Sequence, residues 1–284
     1  MRLIRVGPVG AERPHLLLED DRVLDVSDDV HDFDSQFFAR GGLEQLRGLP
    51  PARRQSAYPL PDIRLGAPVA RPGKIVGIGL NYADHAAESG APIPTEPVIF
   101  MKGTNTMVGP EDDVRIPRGS TKTDWEVELG VVIGRTCRYL ESAEEALAAI
   151  AGYMVSHDVT EREFQLERGG QWVKGKSCET FNPAGPWLVT PDELPDPGGL
   201  DLWLDVNGQR RQTGTTANMI FGVAEIVLYL SQFMVLDPGD VITTGTPGGV
   251  ALGMPDHPYL RAGDVVELGI SGLGRQRQRF VPAP

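Results

Sequence analysis

Residues 124–134 read DWEVELGVVIG, and no other run limits the fold of this chain as much. Its apolar end, VVIG, drives a β-strand into the core. Side chains alternate across a strand, so Glu126 and Glu128, two apart, share one face. Like charges placed side by side repel unless something positive lies between them. An isolated E-x-E pair is usually a solvated strand face. Here the strand continues inward, and a third carboxylate, Asp158, ends another apolar strand in SHDVTERE. Three carboxylates without a Cys/His cluster form an oxygen-rich set, which suits Mg2+ or Mn2+ rather than Zn2+.

Strands dominate the rest of the chain. KIVGIGL, PVIFMK, MVSHDVT, GDVITTG, GDVVELGI and RQRQRF all read as strands, and LWLDVNGQRR turns at Asn207-Gly208, a hairpin signal. Helices are expected near FDSQFFARGGLEQL, in NYADHAAES, over 141–153 and from about Ala217 to Phe233. For 141–153, Ser142 and Glu145 form a capping box. Strands and helices do not alternate regularly. That argues against a doubly wound parallel sheet and for a mainly β, mixed α+β architecture. The proline-rich stretch 59–73 reads as a connector. It separates a small strand-rich N-terminal domain (1–70) from a larger domain (71–284).

Three further stretches carry chemistry. On a helix, His85 and Glu88 of NYADHAAES lie three apart on one face, and a carboxylate beside an imidazole suits it as a general base. Lys174 and Lys176 of QWVKGKS share a face if that segment is extended. TTGTPGGV (243–250) offers backbone N–H groups and the Thr246 hydroxyl to an anion. It matches neither the phosphate-loop nor the dinucleotide pattern. Taken singly, each has a plainer explanation: a surface pair, surface lysines, an ordinary turn.

A net charge of −12 disfavours nucleic acid and anionic membranes as partners. Cys137 and Cys178 lie far apart in no metal-binding spacing. They read as packing residues of a protein in a reducing, cytoplasmic setting. The apolar run 219–236 contains Glu225, Ser231 and Gln232, so it reads as a buried helix, not a membrane span.

In this order, GIGLNYADHAAE, EPVIFMK, DWEVELGVVIG, GYMVSHDVTERE, QWVKGKS, NGQRRQTGTTANMIF and LDPGDVITTGTPGGV resemble the fumarylacetoacetate hydrolase family, over about residues 74–280. The resemblance implies a mixed β-sandwich roll, usually a homodimer, acting on a small-molecule 2-oxo acid. It implies Mg2+ or Mn2+ on Glu126, Glu128 and Asp158, a base dyad of His85 and Glu88, and Lys176 near the reacting carbonyl. Gln165, Lys102, Gly245 and Thr246 match substrate-contacting positions. The overall pattern is similar to the branch of acylpyruvases and 2,4-diketo-3-deoxy-sugar-acid hydrolases. Acylpyruvase relatives often carry Arg where this chain has Leu80, and often Pro where it has Gly103. The LNYADHAAE, KGTN and GKSCETF segments look more like members acting on diketo-deoxy acids of fucose or rhamnose, which would give pyruvate and lactate.

The expected reaction is hydrolysis of a carbon–carbon bond in a ketonic substrate, with pyruvate leaving as an enolate whose charge the metal stabilises. Isomerisation of a 2-hydroxy-dienedioate or decarboxylation of oxaloacetate would use the same platform. A non-enzymatic binding protein would be expected to lack a ligand or the dyad, and all five residues are present.

Overall fold

The computed structural model describes residues 1–60, 62–88, 90 and 92–284. Ten strands follow one another across the larger sheet. Their order is Tyr58–Pro59, Arg22–Asp25, Arg13–Leu17, Arg2–Val6, Asn182–Val189, Ile150–His157, Val127–Ile133, Val241–Thr243, Ile75–Gly79 and Val98–Lys102. Two short strands, Leu65–Gly66 and Met107–Val108, pair at its side. Pairing along this path is antiparallel except between Val241–Thr243 and Ile75–Gly79. A second sheet runs Gln209–Thr215, Asp201–Val206, Val265–Ile270, Gly274–Pro282, Val114–Ile116. The architecture is mixed and strand-dominated, as the irregular mixture of strands and helices implies.

The strand Val127–Ile133 is buried along its whole length. Its odd positions, Val127, Leu129, Val131 and Ile133, join a core shared with Leu202, Leu204 and Leu268 of the second sheet. Ile226, Val227 and Leu230 of the helix Val223–Leu230 belong to the same core. On the other face, Val132 joins a core with Leu3, Leu24, Phe33 and Leu188. Burying each such side chain stabilises the fold by about 1.5–3 kcal/mol. With both faces covered, Glu126 and Glu128 have no route to bulk solvent along the strand.

The first strand pairs with Asn182–Val189 (Arg2 with Val189, Leu3 with Leu188), so the N-terminal strands prolong the sheet that carries the carboxylates. The proline-rich 59–73 stretch is not wholly a connector. Pro59 pairs with Arg22, and Leu65–Gly66 pairs with the first strand.

Three sequence expectations change. The helix expected over 141–153 stops at Ala143–Leu147, because the apolar residues from Ile150 onward enter a strand. Its Ser142 hydroxyl accepts from the Glu145 N–H at 3.2 Å, but the Glu145 carboxylate accepts from Glu141 N–H, so the capping box is half made. The helix expected from Ala217 begins only at Val223. Asn81 takes the backbone just before it: its carbonyl accepts from Ile220 N–H, and its side chain bonds both N–H and C=O of Phe221. The QWVKGKS segment contains a helical turn, Val173–Lys176. Lys174 therefore points outward to the Arg168 carbonyl (2.6 Å), while Lys176 is buried. The Asn207-Gly208 hairpin forms as expected, both residues at positive φ (51° and 75°). Among the described residues, no helix is long and apolar enough to cross a membrane.

Candidate metal centre and its pocket

Strand register brings the three carboxylates together. Val127 faces His157 across the ladder, and the Asp158 N–H donates to the Glu126 carbonyl at 3.0 Å. Asp158 therefore lies beside Glu126, two residues from Glu128 on the same face. These three residues are at most 4% exposed. One oxygen from each lies within 4.8 Å of the others.

Cations meet them unevenly. Lys176 Nζ donates to Glu126 Oε2 at 2.7 Å and to Asp158 Oδ2 at 2.6 Å. Arg162 Nη2 stands 2.7 Å from Glu126 Oε1, and its Nε donates to Asp124 Oδ2 at 2.8 Å. Lys102 donates to Asp158 and, at 2.9 Å, to the Phe181 carbonyl. Glu128 accepts the Gly245 N–H at 2.8 Å, but among the described residues no lysine or arginine forms an ion pair with it. Four carboxylates (Asp124, Glu126, Glu128, Asp158) thus share three cations.

The protonation equilibria follow that imbalance. Burial works against the Glu126 anion, yet Lys176 and Arg162 hold its carboxyl down to about 2. Burial pushes Glu128 well above the usual carboxylate range, and the charges of Asp158 and Glu126 push it further. Burial also opposes the Lys176 ammonium, but Asp158 and Glu126 keep it charged beyond the ordinary lysine range. Burial lowers Lys102 despite Asp158.

This arrangement fits a divalent cation. The donors are all hard oxygens, the preference of Mg2+ and Mn2+. Glu128 lacks a counter-charge, and Glu126 and Glu128 both line a cavity of about 200 Å³.

The base candidate opens on the same cavity. On the helix Ala83–Glu88, His85 Nδ1 is 2.9 Å from Glu88 Oε1, and Glu88 Oε2 accepts the Gly249 N–H at 2.8 Å. With Nδ1–H directed to the carboxylate, Nε2 keeps its lone pair. The fit is close: a Cβ at Gly253 would lie 2.6 Å from Glu88 Cδ.

Gln165, Lys176, Gly245 and Thr246 also line the cavity. Two expectations about these contacts change. Lys102, expected at the substrate, lies behind the centre. Its ammonium is fully buried against Asp158 and the carbonyls of Phe181 and Val159, so no proton is left for a ligand. The turn 243–250 spends three of the donors expected to face an anion on protein groups instead. Gly245 N–H goes to Glu128 and Gly249 N–H to Glu88, and the Thr246 hydroxyl donates to the Val127 carbonyl while accepting from Gln212.

Sequence reasoning missed Arg162 and Asp124. Asp124 accepts the N–H groups of Ala251 and Leu252 and orients Arg162 toward Glu126. An arginine four residues after Asp158 was visible in the sequence. Its return to the carboxylates depends on the short strand Thr160–Glu161 pairing antiparallel with Thr123–Asp124, which no spacing reveals.

Residues 74–281 match the family model described as fumarylacetoacetate (FAA) hydrolase, C-terminal. A Burkholderia multivorans protein described only as a hydrolase is 56% identical over 279 residues, 98% of each chain. Among solved structures, the fumarylacetoacetate hydrolase of Exiguobacterium antarcticum is 34% identical over 100% of both chains, with a TM-score of 0.87. A 2-hydroxyhepta-2,4-diene-1,7-dioate isomerase from Mycobacterium marinum is 32% identical, over 99% of this chain and 98% of that one, with a TM-score of 0.75. Maleylpyruvate hydrolase from Sphingobium sp. SYK-6, in complex with manganese(II) and pyruvate, is 28% identical over 100% of both chains, with a TM-score of 0.82. The chain therefore belongs to the fumarylacetoacetate hydrolase family and is an enzyme of its hydrolase–isomerase type.

Proposed function

We propose that the protein hydrolyses the C3–C4 bond of a 2,4-dioxo acid, giving pyruvate and a second carboxylic acid. The supporting observation is one cavity that joins an oriented His–Glu pair, a buried ammonium and an under-neutralised three-carboxylate centre. Mg2+ or Mn2+ on Glu126, Glu128 and Asp158 would act as a Lewis acid toward the oxygen on which enolate charge develops.

The side chains supply the rest. His85, oriented by Glu88, takes a proton from water as the hydroxide adds to C4. Lys176 has three donors, two of them on Glu126 and Asp158, so the third can meet the oxyanion at C4. As that oxyanion collapses, the C3–C4 bond breaks and its electron pair moves to C3 as the enolate of pyruvate. The proton held by His85 then passes to C3. Water and dioxo acid yield two carboxylates and one released proton. Gln165, whose Oε1 accepts from Arg162 at 3.1 Å, keeps its amide N–H groups for the substrate carboxylate. We also propose a homodimer, to be tested by whether the molar mass in solution is twice 30.8 kDa.

The test uses metal-stripped protein reloaded with Mg2+ or Mn2+ and given 2,4-dioxopentanoate. Pyruvate and acetate should appear in equal amounts, and His85→Ala should lower kcat by about a hundredfold or more. Carbon dioxide from oxaloacetate without dioxo-acid cleavage would make the protein a decarboxylase. Rearrangement of a dienedioate without acid release would make it an isomerase.

A further inference from the structure

We propose that this site selects 2-oxo acids whose far end is an uncharged hydrocarbon group, and that Leu80, Leu166 and Trp172 set that preference. The proposal rests on the reading above, in which the acid end of the substrate lies at the carboxylate centre.

The cavity's cations are already paired, and the one donor that Lys176 keeps is assigned above to the oxyanion at C4. Arg162 is held by Asp124 and Glu126, and Lys176 by Glu126 and Asp158. His85 is paired with Glu88. Among the described residues, no other lysine, arginine or histidine lines the cavity. A second carboxylate on the substrate would be desolvated there without a partner, beside a cluster that already has one carboxylate too many.

Beyond Gln165 and Thr246, the large side chains on the rest of the wall are apolar, among them Leu80, Phe100, Leu166, Trp172 and Leu252. It runs outward from the centre, since Lys176 Nζ lies 4.9 Å from the Phe100 ring centroid and the Phe100 and Trp172 centroids are 5.7 Å apart. The strand Ile75–Gly79 is shaped to seat both rings. A Cβ at Gly77 would lie 2.0 Å from the Phe100 ring, and one at Gly79 2.4 Å from the Trp172 ring. Leu80, the next residue, has φ of 55°, a left-handed conformation that a leucine adopts only at a cost. Apart from the Trp172 indole N–H, these five side chains have nothing to bond the hydroxyls of a sugar-derived tail. The volume of about 200 Å³ is somewhat larger than the ~150 Å³ apolar cavity that admits benzene. A short alkyl chain or a single ring suits it.

The experiment compares four dioxo acids with one head and different tails on the Mn2+-loaded full chain. They are 2,4-dioxopentanoate, 2,4-dioxo-4-phenylbutanoate, 2,4-dioxoheptanedioate and a 3-deoxy-2,4-dioxo sugar acid. The better hydrocarbon-tailed acid should exceed the heptanedioate in kcat/KM by about a hundredfold or more. Leu80→Arg and, separately, Leu166→Arg should each shrink that ratio at least about tenfold by supplying the missing counter-charge. Wild-type preference for the heptanedioate or the sugar acid would overturn the proposal, and so would an unchanged ratio in both variants that fold. Binding order is read independently from tryptophan fluorescence, with Trp172→Phe identifying the reporter. If none of the four is cleaved, the hydrolase reading falls, while the binding order still decides the tail.

Discussion

Two charge clusters in this molecule differ in how completely they are matched. In the N-terminal cluster, Arg5 grips Asp32 through two nitrogens (2.7 and 2.8 Å) and reaches Glu12. Arg64 grips Asp112 in the same way (2.6 Å twice) and donates to Glu12 at 2.9 Å. Every carboxylate there touches a guanidinium, and backbone N–H groups of Gly10, Phe33 and Gly109 add further bonds. The centre at Glu126 is more deeply buried, yet it leaves Glu128 without a cation. A cluster that only holds chain segments together can close on itself. One that leaves a buried carboxylate unmatched gives up stability that a bound ion can restore.

Asp158→Asn offers the largest break in that comparison. It should reduce kcat about a thousandfold or more and abolish the rise in melting temperature on adding Mn2+, whereas Asp112→Asn should lower the melting temperature and leave kcat within about threefold. Arg64→Ala should destabilise the fold by about 2–4 kcal/mol in denaturant melts, because it leaves Asp112 without a guanidinium and Glu12 with only the longer contact to Arg5. Its pH signature follows from Glu12. Burial raises that carboxyl, but the bond from Arg64 and the charge of Arg5 more than offset this and leave it below its usual 4.5. A lowered folded-state value gives stability that is present above about pH 4.5 and fades as pH falls through the lowered value. Arg64→Ala should flatten that acid limb.

Mn2+ at a hundred times its dissociation constant should stabilise the wild type by about 2.7 kcal/mol by calorimetry, and Glu128→Gln should lose most of that gain. Without metal, Glu128→Gln should melt at or slightly above the wild type, by up to about 1 kcal/mol, since burial and the charges of Asp158 and Glu126 already disfavour the Glu128 anion. A clear fall would mean that the Glu128 charge is already compensated and the contrast is wrong. Gly253→Ala should have the smallest effect, lowering kcat about tenfold through displacement of Glu88 while the Mn2+ midpoint stays put.

Some of this could be read from the sequence, because strand periodicity is local. Two residues of spacing put Glu126 and Glu128 on one face, and three put His85 against Glu88. Long-range features were not legible. Lys102 follows an apolar strand, and nothing in FMK says that its ammonium meets Asp158 from behind and not from the cavity. Asn81 stops the helix expected from Ala217, from 140 positions away. The spacing of QWVKGKS marks Lys176 but does not show the helical turn Val173–Lys176 that separates it from Lys174. The mainly β architecture was legible because strands and helices failed to alternate. The continuation of the N-terminal strands into the catalytic sheet depends on one pairing, Arg2–Val6 with Asn182–Val189.

The turn after Thr243 has a consequence for genetics. Gly245 holds Glu128, and four residues later Gly249 holds Glu88 while its carbonyl accepts from Trp125 Nε1 at 3.1 Å. A single change between these glycines will therefore look like two lesions, one in cation affinity and one in proton transfer. Variants at Glu128 and Glu88 should fail to add in a double-mutant cycle, although neither residue is in hydrogen-bond contact with the other.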